Sequence, residues 1–307
     1  MTKNSQEYWN KRARLDKLKT IAIEEQGIDA LKRLLSKNLK DVKAKIKAFY
    51  DKYGDNPAEK LTYAQWLVYK AKLKTQAKLN PQDKTLQKLA KQNIPKYRID
   101  RLRALEIDLQ IQLTEATKGQ QAGIYKTLKD VSKVSQTTTA LRFKDTLGVA
   151  FNKINSQKMQ KIISSDWCGR ENWSERLWGD RDYVGKKVQN ILEKGIPQGT
   201  SMQEMSRELS QATGQSFNNS FRLIRTESAH VNGEVLLESF RQAKRELGYQ
   251  KYIYDAFIDN RTSTICKELD NSVHYIDDAE IGVNFPPMHP NCRSTCVLDE
   301  SSVIMPD

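Results

Sequence analysis

Residues 285–296 read Phe-Pro-Pro-Met-His-Pro-Asn-Cys-Arg-Ser-Thr-Cys, and three prolines in twelve positions exclude a helix there. Each proline locks its own φ and lacks an N–H, and the residue before a proline is pushed to extended geometry. His289, ahead of Pro290, is therefore presented on a stiff, non-helical segment. All three histidines (His230, His274, His289) and three of the four cysteines (Cys266, Cys292, Cys296) follow position 229. Side-chain chemistry is thus concentrated in the last quarter of the chain.

Upstream, the apolar period is helical. Ile28, Leu31, Leu35, Leu39, Val42, Ile46 and Phe49 recur at spacings of three and four, which lays one stripe along a helix that Gly54 and Pro57 should end. Thr62-Tyr-Ala-Gln65 has the form of a capping box opening a second amphipathic helix, and Pro81 and Pro95 punctuate two further segments. The run 105–113 alternates like a strand, but Leu102, Leu105, Leu109 and Leu113 also make a helical stripe, and the helical neighbourhood decides for helix. Residues 119–140, with Gly119 and Gly123 and few large apolar side chains nearby, read as a hinge. Residues 181–194 predict a helix stopped by Gly195 and Pro197. Ser201-Met-Gln-Glu204 opens a short helix expected to end near Gly214, and a long helix through Phe217, Ile224 and Val235 should stop at Gly248. Beyond it, Tyr252, Tyr254, Ala256 and Ile258 alternate as in a strand. The expected fold is mainly α: an extended basic helical N-terminal region (1–118), the hinge (119–140), and a helical middle leading into a small α+β C-terminal domain (141–298), with a tail (299–307).

Charge divides the chain in the same way. Residues 1–110 hold 26 Lys and Arg against 13 Asp and Glu, which equals the whole net charge of +13. An asymmetry of this kind is expected of a segment that touches a polyanion, although a lysine-rich solvated helix surface is the plainer explanation. Lys32, Arg33, Lys37, Lys40, Lys43, Lys47, Lys70, Lys72 and Lys74 are the candidate contacts to double-stranded DNA, made without sequence preference. No run of 18 apolar residues exists and the first residues lack a signal-peptide stretch, so no membrane partner is expected. Four cysteines, with Cys168 far from the others, do not form a secreted disulfide framework, and a reducing compartment is expected.

Two constellations could carry chemistry. Glu227, His230 and Glu234 share a helix face, which suits a metal or an acid–base pair, but hydrogen bonding of Arg225, Glu227 and His230 to loops over the helix is favoured. Cys266, His289, Cys292 and Cys296 make a Cys3His set of the composition used by structural zinc; the alternative is buried thiols and a histidine that ties down the proline-rich loop by hydrogen bonds, with no cofactor. A Cys292–His289 nucleophile pair is disfavoured because two residues on an extended loop are expected to diverge. No Gly-rich phosphate loop, Gly-x-Ser-x-Gly or two-metal carboxylate cluster occurs, so no catalytic residue is expected.

The ordered set Arg225, Glu227, His230, Asn232, then Asp259, Arg261, Cys266, then His289, Cys292, Arg293 resembles the signature (222–298) of the phage head morphogenesis family, the Mu F-like minor head proteins. Trp173-Ser-Glu-Arg-Leu-Trp178, Gly195-Ile-Pro-Gln-Gly199 and Tyr8-Trp9 with Arg12 are similar to further segments of that family. The resemblance implies a non-enzymatic minor head protein in the phage virion, made in the bacterial cytoplasm and associated with the portal protein and with scaffold or major capsid protein. It also implies contact with packaged DNA, and some members are released with the genome. A metal-dependent hydrolase using the C-terminal His/Cys/Glu cluster is the alternative. Many members carry Cys-Arg-Cys where this chain has Cys292-Arg-Ser294, and an earlier cysteine after the Asp-x-Arg-Thr element, which weakens the Cys3His expectation. The sequence stops at Asp307, so no fused toxin or transferase domain is expected after the signature.

Overall fold

The computed structural model describes residues 6–53, 56, 58–92, 100–149, 151–169 and 171–304. The expected terminators Gly54, Pro57 and Pro95, and the last three residues of the tail, lie outside them. The described residues are mainly helical. Eight helices, α1 (Gln6–Tyr53), α2 (Tyr63–Leu79), α3 (Lys84–Lys91), α4 (Arg101–Leu147), α5 (Ser156–Ser164), α6 (Trp173–Gly195), α7 (Met202–Leu247) and α8 (Thr264–Leu269), accompany three strands, β1 (Lys251–Asp255), β2 (Val273–Tyr275) and β3 (Thr295–Leu298). No helix among the described residues is long and apolar enough to cross a membrane.

The chain forms two compact units, each discontinuous in sequence: one from 1–29, 123–173 and 221–307, the other from 30–122 and 174–220. We call them the signature unit and the basic unit. By sequence, the basic unit holds 27 Lys and Arg against 15 Asp and Glu, a net of +12, whereas the signature unit holds 24 against 23. The charge asymmetry persists, but the expected boundaries do not. Residues 119–140 lie within the continuous helix α4, because Leu128, Val131 and other apolar side chains keep it buried through the glycines. The first 29 residues belong with the signature, not with the basic region.

In the basic unit, Thr62 and Gln65 cap α2 reciprocally, as the sequence predicts, and Asp83 caps α3 by accepting from the Leu86 N–H at 2.9 Å. Val42, Ile46 and Phe49 of the α1 stripe pack with Leu105 and Leu109 of α4 and with Val188 and Leu192 of α6. Leu105 and Leu109 thus occupy the helical stripe, not a strand. The guanidinium of Arg181 lies 2.8 Å from the Asp83 carboxylate, both fully buried, with Gln110 and Thr114 completing the network.

Helix α7 does not stop near Gly214 but continues into the signature unit as far as Leu247, where Gly248 adopts φ +77° and places its backbone against Ile304 with no room for a Cβ. The sheet that follows is antiparallel in the order β2-β1-β3, with Tyr252 opposite His274 and Leu298, and Tyr254 opposite Cys296. Residues 256–258, expected to extend the strand, leave the ladder. The inward face of β1 buries Tyr252 and Tyr254 in a core with Phe143, Phe240 and Phe285. Trp9 joins this core, 5.8 Å from Phe143, and its indole N–H donates to Glu300. Arg12 pairs with Asp145 at 2.8 Å and Arg14 grips the buried Asp255 in a two-pronged contact. Burial pushes the Asp255 carboxyl up, and Arg14 opposes that shift.

Candidate functional site

The proline-rich stretch folds as it does for a local reason. His289-Pro-Asn-Cys292 has Pro at the second and Asn at the third turn position, the pattern of a type II turn; Asn291 takes φ +63° and the Cys292 N–H donates to the His289 carbonyl at 3.1 Å. Such a turn brings positions one and four together. His289 and Cys292 therefore do not diverge, contrary to the expectation from an extended loop. Just upstream, Pro286 and Pro287 lie against Gly233 of α7, where a Cβ would overlap the Pro286 carbonyl oxygen. The loop can approach α7 this closely only because position 233 is glycine.

Cys266 reaches the same place from α8, whose N-cap Ser263 accepts from the Cys266 N–H at 3.3 Å. The Cys266 Sγ lies 3.3 Å from His289 Nε2 and 3.8 Å from Cys292 Sγ, and one ligand atom from each of the three residues falls within 4.8 Å of the others. Cys296, the fourth expected ligand, does not join them: it sits on β3 in the aromatic core, fully buried. Strand alternation assigns its side chain to the core face opposite Tyr254. The convergent set is Cys2His, not Cys3His. The hydrogen bond from Cys266 holds the Cys292 thiol well below its usual range, while the Cys266 thiol is pushed up.

The remaining signature residues fall into two groups. Glu227 and His230, both buried, face Trp167: the indole N–H donates to Glu227 at 3.0 Å, and the indole stacks on the imidazole. His230 Nε2 also lies 3.6 Å from Glu234, and that contact lowers the Glu234 carboxyl. Asn232 accepts from Ser135 at 2.9 Å. Of Arg225, Glu227 and His230, expected to hydrogen-bond to loops over the helix, Glu227 is bonded to Trp167 in that way, whereas His230 is stacked and Arg225 pairs with Glu25 of α1; no period or motif in the sequence points to Trp167.

The second group lines a cleft of about 720 Å³: Arg225, Asp259, Arg261, His289, Cys292 and Arg293, with Lys17, Glu24 and Glu25 from α1. Arg225 pairs with Glu25 at 2.7 Å. Asp259 accepts from Arg293 at 2.6 Å and from the Arg261 N–H at 2.8 Å, which hold its carboxyl well below the usual range, and Arg293 also lies 5.0 Å above the Phe257 ring. Burial pushes the Glu24 carboxyl up to about 7, against the pull of Lys17 and Arg225. Lys17 and Glu24 are seven residues apart on one face of α1, a spacing the sequence displays but which carries no pointer to a cleft.

The nine candidate DNA contacts all fall in the basic unit. Eight are exposed and Lys43 is half-buried. Lys47 pairs with Asp51 and Lys72 with Asp108, each at 2.5 Å, so these two offer less free charge than the sequence suggests.

A helical protein with a small antiparallel cap, closed by a proline-turn loop over a long helix, is the class this geometry defines. Residues 186–297 match the family described as phage Mu protein F like protein. Over this segment, a little more than a third of its length, the chain is similar to the phage head morphogenesis family, and that similarity supports a phage head-related protein. It is also similar to the NAD(+)--arginine ADP-ribosyltransferase EFV of Enterococcus faecalis (strain ATCC 700802 / V583), at 28% identity over 126 residues. That match covers 41% of this chain, which spans about a quarter (26%) of the relative's length. No solved structure matches.

Proposed function

We propose that this chain is a minor head protein of a tailed phage, placed at the portal vertex, which works in head assembly and contacts packaged double-stranded DNA without sequence preference. The family match over 186–297 carries the reading. The net charge of +12 on the basic unit supports the DNA contact, since phosphate neutralisation by Lys and Arg needs no base readout. The nearly neutral signature unit is the part that docks on portal, scaffold or major capsid protein, by surface fit more than by charge. The protein resides inside the virion head and, during assembly, in the bacterial cytoplasm.

It acts without turnover. Glu227 and His230, the acid–base candidates, are buried and held by Trp167, which suits structure more than proton transfer. The activity in the name of the ADP-ribosyltransferase is not part of the proposal, because the shared segment is about a quarter of that protein.

Residues 1–29 supply Trp9, Arg12 and Arg14 to the signature unit, so the N-terminal region stays in place. The experiment uses the full chain, with heads purified from cells that express it with the other head genes, and counts its copies per head. A few copies per head, lost when the portal protein is omitted, are expected. Copies that persist without portal protein would overturn the portal placement, and absence from heads would overturn the reading as a whole.

A further inference from the structure

We propose that Cys266, His289 and Cys292 bind one zinc ion, with the fourth coordination position on the side of the cleft. Two zinc–thiolate bonds of about 2.3 Å at a tetrahedral angle set their sulfurs about 3.8 Å apart, and with a zinc–nitrogen bond of about 2.05 Å the sulfur-to-nitrogen edge is about 3.6 Å. The Cys266 and Cys292 sulfurs are 3.8 Å apart and His289 Nε2 is 3.3 Å from the Cys266 sulfur. Two edges of the tetrahedron therefore stand within a few tenths of an ångström of what the ion requires.

The imidazole is oriented for the task. His289 Nδ1 lies 2.9 Å from the Pro290 carbonyl oxygen, which has no proton to give, so Nδ1 is the protonated nitrogen. Nε2 then carries the lone pair and faces the thiols, the arrangement in which a backbone carbonyl fixes the tautomer of a metal-bound histidine. Ser263 Oγ, 2.8 Å from Nε2, donates to that lone pair, and the coordinate bond replaces this hydrogen bond and the contact with the Cys266 thiol. Two thiols and an imidazole are soft and borderline donors, which select zinc over magnesium or calcium.

His289, Cys292 and Ser263 line the cleft, whereas Cys266 lies behind them, buried. Solvent from the cleft takes the fourth position. The ion would clasp α8 to the 289–292 turn, joining points 23 and 26 residues apart that thiol and imidazole hydrogen bonds and apolar packing already bring together. The site is independent of the head-protein reading and goes beyond it.

The test uses the full, tag-free chain, stripped with a chelator and titrated with cobalt(II) and then with zinc(II). One cobalt per chain is expected, with thiolate-to-cobalt charge transfer in the near ultraviolet and the intense visible bands of tetrahedral cobalt, all bleached by one equivalent of zinc. Cys266→Ser and His289→Ala should weaken cobalt binding by about 10-fold or more, while Cys168→Ser leaves it unchanged. Circular dichroism establishes that each variant is folded, and the wild-type titration stands whether or not they are. Absence of charge transfer in the wild-type chain would overturn the proposal. So would an unchanged cobalt affinity and charge-transfer intensity in Cys266→Ser, or loss of the charge transfer in a folded Cys296→Ser variant.

Discussion

The indole of Trp167 lies flat on the imidazole of His230, with ring centroids 4.7 Å apart and 4° between the planes. The same indole donates its N–H to Glu227, one helical turn earlier on α7. Glu227, His230 and Glu234 share a helix face that could suit an acid–base pair, yet the buried pair Glu227 and His230 is packed under a tryptophan.

Trp167→Ala should therefore lower stability by about 2 kcal/mol, since a half-buried aromatic ring and a hydrogen bond to a buried carboxylate are lost together. Trp167→Phe keeps the stack and loses only the donor, and should cost about 1 kcal/mol. Urea unfolding of the full chain gives both values. Equal, negligible effects would show that the stack does not hold the helix face.

Glu24 makes stability depend on pH in a direction opposite to that of an ordinary ion pair. Its folded carboxyl is raised to about 7 against an unfolded value of about 4.3, so the folded state binds the proton more tightly. Its contribution is full below about 4.3 and is lost as pH rises through about 7. Glu24→Gln should then stabilise the protein near pH 8 by on the order of 2 kcal/mol and flatten the melting temperature between pH 5 and 8. A melting temperature with the same pH profile in both proteins would dismiss the buried carboxyl as the cause.

DNA binding should weaken steeply with salt, with a log–log slope set by the number of phosphates neutralised. Replacing Lys37, Lys40, Lys70 and Lys74 together by Gln should reduce that slope by up to about 3–4 and weaken binding equally on unrelated duplexes. Fluorescence anisotropy of labelled duplexes at several salt concentrations measures this. An unchanged slope would move the DNA contact away from the basic unit.

Local signals carried much of the structure. The stripe from Ile28 to Phe49, the Thr62–Gln65 cap and Gly248 are readable because neighbours three or four apart in sequence are neighbours on a helix, and because a left-handed φ requires glycine. The order of the signature residues likewise pointed to the family before any fold was known. Where sequence reasoning erred, the deciding energy was not local. Gly119, Gly123 and Gly214 suggest breaks, yet α4 and α7 run through them because buried side chains on either side outweigh about 1 kcal/mol of glycine propensity.

The sequence by itself determined helix periodicity, the excess of positive charge, and the exclusion of a helix from the proline-rich stretch 285–296. Only the tertiary structure decided which residues share a space. It brought Trp9 to the core of the C-terminal sheet, set Trp167 over His230, and joined Cys266 to His289 and Cys292 while sending Cys296 into the core. These contacts span from tens to hundreds of positions, and they follow from which apolar faces bury one another, a property of the whole packed chain that no spacing along it encodes.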